Sequence, residues 1–70
     1  MASECQGKSS WPELLGVQAR VAIATIEKEN PYVDTQVVLE GTVVTTDFSC
    51  TRVRVWIDRN RIVTRVPIIG

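Results

Sequence analysis

The stretch GTVVTTDFSCTRVRVW, residues 41–56, decides how this chain is read. It opens as a β-branched run, turns polar through TTDFS, and closes in strict alternation. Taken on to residue 58 as TRVRVWID, the second half puts Val53, Val55 and Ile57 on one side and Arg52, Arg54, Trp56 and Asp58 on the other. Successive side chains of a strand point to opposite faces, so this predicts a half-buried strand with an arginine-bearing outer face. The first half has no such order. Residues 41–49 read as a connection between strands, and one well beyond about 5 residues in so small a domain is usually functional.

Upstream, TQVVLE (35–40) is a short strand with an apolar middle, broken by Gly41. Its near-continuous apolar character predicts a buried strand suited to parallel pairing. VQARVAIATIEKEN (17–30) is the helix: Ala19, Ala22, Ile23 and Ile26 share one face, and small alanines there let a sheet approach closely. Val17, Val21 and Ala24 form a second, half-exposed strip. Asn30-Pro31 ends the helix, because a residue before proline avoids helical dihedrals. SSWPELLG (9–16) predicts one 3₁₀ turn, with a serine cap, Pro12 in first position and Trp11, Leu14 and Leu15 turned inward. Downstream, RNR (59–61) is a turn in which Asn60 suits a positive φ. IVTRVPIIG (62–70) reads as a last strand, marked by Pro67 as an edge or strand end. Residues 1–8 read as a loose arm that only Cys5 can fasten. The sum is a single α+β domain over residues 1–70: one α-helix packed on a small mixed β-sheet.

Composition narrows the function. Seventy residues make at most one domain, which buries only about 60% of its unfolded surface. Eight basic and eight acidic residues cancel, against the basic excess of a nucleic-acid binder. A module with an arginine face, built from Arg52, Arg54, Arg59, Arg61 and Arg65, is the alternative reading of the same residues. There is no apolar run near 20 residues for a membrane span, and MASECQGKSS has no apolar core of a secretory leader. Histidine is absent, which removes the usual general base and most small zinc sites, and no phosphate-binding glycine loop occurs. A non-enzyme without cofactor or metal is expected. Cys5 and Cys50 allow one intramolecular pairing, or remain two buried thiols. A bridge between them closes a loop that contributes roughly 4 kcal/mol in the chain-entropy model.

Taken in order, WPELLG (11–16), ENP (29–31), EGTVVTTDF (40–48), RVRVWID (52–58) and VPIIG (66–70) resemble the potato inhibitor I family of serine-protease inhibitors. The resemblance runs from Cys5 to Gly70. It implies one helix on a small mixed sheet, an exposed protease-binding loop at residues 41–49, and a disulfide between Cys5 and Cys50, as in the plant members that carry one. By position it implies a reactive bond between Thr46 and Asp47. Thr46 enters the specificity pocket, Val43, Val44 and Thr45 precede it, and Phe48 and Ser49 follow Asp47. Phe48 either covers the leaving-group side or packs on the base of the loop. Arg52 and Arg54 support the loop from below, with Thr45 and Asp47 as expected partners.

The implied partners are serine proteases, met by a monomer in a defensive role, with no nucleic acid and no membrane involved. Threonine leaves the buried pocket carboxylate of trypsin unpaired and underfills the slot of chymotrypsin. Subtilisin-like or elastase-like enzymes are therefore the expected targets, with chymotrypsin-like enzymes as a further class and trypsin inhibited poorly. Ser49, Thr51 and Ile68 each depart from residues frequent in the family and lose polar support. An inhibitor scaffold of weak activity is the second alternative. A disulfide points to an extracellular or vacuolar site, and the cytosol stays open.

Overall fold

A computed structural model describes residues 5–70 of the chain, and the first four residues of the expected arm lie outside the described residues. A 3₁₀ turn at Pro12–Leu14 leads into helix α1, Ala19–Glu29. Strand β1, Asp34–Leu39, and strand β2, Arg52–Ile57, follow. The strands pair in parallel, with Thr35 opposite Val53, Val37 opposite Val55 and Leu39 opposite Ile57. Parallel strands cannot be joined by a tight hairpin, because the chain must travel back along the sheet before the second strand begins. The long segment between β1 and β2 is thus required by the topology.

One helix covers one side of this sheet. Ala19, Ala22 and Ile26 of α1 are buried, and they join Trp11, Leu14, Val33, Val53, Val55, Ile57, Val63 and Ile69 in one apolar core. Ile23 is half-buried, Val17 packs against the core, and Val21 and Ala24 are exposed. Trp11 is fully enclosed, with its indole N–H donating to Glu29 Oε1 at 2.9 Å. Leu15, expected inside, is exposed.

Three further expectations are corrected. β1 is not a buried strand: Val38 is buried, but Val37 and Leu39 are 43% and 47% exposed. A two-stranded sheet gives β1 one partner and one open edge, so its apolar residues are only partly enclosed. Residues 62–70 do not form a continuous strand. They make separate antiparallel bridges, Gln18 with Ile62, Ile57 with Val63, Ser10 with Ile68 and Val53 with Ile69. Pro67 has no N–H to give a ladder, and its carbonyl instead accepts from Trp11 N at 2.9 Å. In the turn after β2, Arg61 takes the positive φ (63°) in place of Asn60. Asp58 Oδ1 accepts from Asn60 N at 2.8 Å and Ile62 N at 3.0 Å, and that closure places Arg61 at the left-handed corner.

Asn30 does more than end the helix. Its side chain is fully buried, and its Nδ2 donates to the carbonyls of Gln6 at 2.8 Å and Lys8 at 2.9 Å. Its Oδ1 accepts from Tyr32 N at 2.9 Å. Gly7, at φ +79°, lies flat against this amide, where an added Cβ would stand 2.8 Å from Asn30 Cγ. Residues 5–8 are therefore held by a buried amide as well as by the Cys5–Cys50 disulfide.

Candidate functional site

The segment between the strands leaves β1 through a tight corner. Glu40 N donates to Ile57 O at 2.8 Å, one step beyond the strand. Gly41 turns at φ +93°, a left-handed conformation open to glycine. Thr42 N then closes the turn on Leu39 O at 3.0 Å. Among the described residues, no backbone N–H from 43 to 48 meets a backbone carbonyl. Val43 is 94% exposed, Thr45, Thr46, Asp47 and Phe48 are exposed, and Val44 and Ser49 are half-buried. A segment whose backbone N–H groups are unpaired by the chain itself is suited to pairing with another chain as an added strand.

Side chains from β2 hold this segment. Strand alternation puts Arg52 and Arg54 on the face away from the helix, under the returning chain. Arg52 Nη2 donates to Asp47 O at 2.7 Å, and its Nη1 lies 3.2 Å from Asp47 Oδ2. Arg52 Nε donates to Gly70 O at 2.7 Å. Arg54 Nη2 donates to Thr45 Oγ1 at 2.9 Å. The Asp47 carboxyl is held below the usual carboxylate range, first by the Thr45 hydroxyl beside it and then by the Arg52 charge. Thr45 and Asp47 are thus turned down to the arginines on either side of Thr46, and Thr46 is left exposed between them.

The far end of the segment is tied covalently. Cys50 is bridged to Cys5, with Cα atoms 5.0 Å apart. Ser49 and Thr51 pair through their hydroxyls at 3.1 Å, and Thr51 N donates to Ser49 Oγ at 3.3 Å. Phe48 is 66% exposed. Its ring stands beside Gly70, where an added Cβ would lie 3.8 Å from it. The ring therefore lies beside the C-terminal glycine without being enclosed.

The structure places Arg52 against Asp47 and Arg54 against Thr45, and it adds a second set of contacts at the near end that sequence reasoning missed. Arg65 Nε and Nη2 donate to Glu40 Oε2 and Oε1 at 2.8 and 3.0 Å. The Thr64 hydroxyl also donates to Glu40 Oε2. The Arg65 guanidinium stacks 3.9 Å from the centre of the Trp56 ring. The Glu40 carboxyl is held below its usual range, first by Arg65 and then by Thr64, and Arg65 is pushed up in turn. Glu40 and Arg65 are 25 positions apart, and no local periodicity links them.

The potato inhibitor I family model matches residues 3–70. The chain is 52% identical over 68 residues to an inhibitor of trypsin and Hageman factor from Cucurbita maxima, covering 97% of this chain and 100% of that one. It is 53% identical over 68 residues to a Glu S. griseus protease inhibitor from Momordica charantia, with the same coverage. The crystal structure of bitter gourd trypsin inhibitor superposes with a TM-score of 0.94 at 51% identity, over 97% of this chain and 100% of that chain.

Proposed function

The chain belongs to the potato inhibitor I family, and we propose that it is a reversible, substrate-like inhibitor of serine endopeptidases whose loop, residues 41–49, is cut between Thr46 and Asp47. The observation that carries this reading is the pair of arginine contacts, one to each neighbour of Thr46. The loop enters the protease cleft as an extended strand, and because its shape is already set, little conformational entropy is lost on docking. Thr46 fills the specificity pocket and presents its carbonyl to the nucleophile. When the bond breaks, the new amine belongs to Asp47, which Arg52 holds by both its carbonyl and its carboxylate. The leaving group stays beside the acyl-enzyme, so resynthesis competes with release.

Threonine at the specificity position favours shallow or small pockets. Subtilisin-type and elastase-type enzymes are the expected targets, with trypsin and chymotrypsin inhibited less well. The reading as an arginine-faced nucleic-acid module is less well supported, since Arg52, Arg54 and Arg65 spend donors on the chain's own acceptors. A panel of subtilisin, elastase, chymotrypsin and trypsin tests the proposal, with intact and 46/47-cleaved chains recovered from each mixture. Inhibition of the first two with slow cleavage at that bond is expected. Silence across the panel would sink the inhibitor reading, and a tight trypsin complex that depends on Thr46 would overturn the preference.

A further inference from the structure

Strand β2 presents Arg52, Arg54 and Trp56 outward in a row. The two arginines touch the loop themselves. Trp56 reaches its start through Arg65, which stacks on the ring while its fork grips both Glu40 oxygens. A fork on two oxygens fixes the plane of the carboxylate as well as its position. The stack limits how the guanidinium can tilt. Thr64 adds its hydroxyl to Glu40, and its own N–H donates to Trp56 O at 2.8 Å. Glu40 directly precedes Gly41, the corner where the loop leaves the sheet. Beyond that corner the chain spans a hollow of about 330 Å3 bounded by Val44, Arg54, Trp56, Arg65 and Ile68. Across it, no backbone hydrogen bond joins residues 43 and 44 to the frame among the described residues. The direction of that free span is set at its two ends, Glu40 and Thr45.

We propose that Glu40, Arg65 and Trp56 form a positioning clamp for residues 42–45, separate from the Arg52 contacts that hold Asp47. Its role in inhibition rests on the inhibitor reading: the clamp keeps the acyl half of a cut loop aligned for resynthesis.

Backbone 15N relaxation of the free protein tests the clamp without any protease. In Arg65→Ala and Glu40→Ala, order parameters of residues 42–45 are expected to fall from about 0.85 toward 0.6. Residues 47–49 are expected to keep their values. Arg65→Lys restores only part of the loss, because an ammonium neither forks nor stacks flat. Arg65 is a half-exposed side chain, so its replacement leaves the fold intact, as an unchanged melting temperature will verify. Unchanged order parameters at 42–45, or equal loosening at 47–49, overturn the clamp. A second arm follows resynthesis of purified 46/47-nicked chain by subtilisin, expected to slow about tenfold in Arg65→Ala. If the loop loosens but resynthesis does not slow, the positioning stands and its part in inhibition is overturned. If the parent chain is neither cut nor resealed, the inhibitor reading fails, while the relaxation arm still decides the clamp.

Discussion

The core and the loop of this molecule are held by different forces. In the core, apolar burial and backbone pairing act together: Trp11, Ile26, Val53 and Val55 are fully buried, and β1 and β2 share a ladder. In the loop neither operates. Residues 43–48 have no backbone pairing among the described residues, and Val43 and Phe48 face solvent. The loop is held by side chains rooted in the core, mainly Arg52 and Arg54, with Arg65 stacked on Trp56. The Arg54 contact is to a neutral hydroxyl, and an exposed ion pair such as Arg65–Glu40 contributes little to global stability. The stability of the fold and the placement of residues 41–49 therefore rest on different contacts.

The largest effect is expected in the core. Trp11→Ala removes a fully enclosed aromatic and is expected to cost about 3–5 kcal/mol, a large part of what a domain of this size possesses. Chemical denaturation measures it, and inhibition should persist wherever the variant remains folded. Replacing Cys5 and Cys50 by serine acts on both regions, because the bridge joins the arm to the end of the loop. A loss of about 2–4 kcal/mol is expected with faster loop cleavage, and a variant as stable as the parent would deny the bridge any structural role.

Arg54→Ala sharpens the contrast. Its hydrogen bond to the loop goes to the Thr45 hydroxyl. Stability should change by less than about 1 kcal/mol, while hydrolysis of the 46/47 bond by a target protease rises about tenfold. Equal inhibition and equal cleavage in parent and variant would remove Arg54 from the support.

Acid gives the smallest effect and tests which region carries it. Asp47 and Glu40 both have folded values below their ordinary range. A lowered carboxylate contributes fully above its unfolded value and loses that contribution as the pH falls through the folded one. The loop should therefore loosen only in acid below the ordinary carboxylate range, with relaxation at residues 42–49 changing before the core amides. Glu13 is also lowered, by its bond to Lys8, and since neither partner bonds residues 42–49, its protonation is expected to leave the loop unchanged.

Much of this was legible beforehand. The alternation of β2 told which side faces the helix and that two arginines share the other, because side-chain direction in a strand follows from sequence position. The helix face was equally plain from Ala19, Ala22 and Ile26. β1 misled, since apolar residues are the same in an enclosed strand and at an open edge. The last segment misled for a related reason: its β-rich composition does not reveal that it changes partners from Gln18 to Ile57 to Ser10 to Val53.

By itself, then, the sequence determined the periodic elements, the one possible cysteine pairing and a long connection bearing TVVTTDF. Only the tertiary structure decided that Asn30 would be buried against the carbonyls of Gln6 and Lys8, and that Arg65 would stack on Trp56 and grip Glu40. Periodicity records which face of an element is apolar, a local property. A polar contact between residues more than 20 positions apart depends on how those faces stack, which no local pattern encodes.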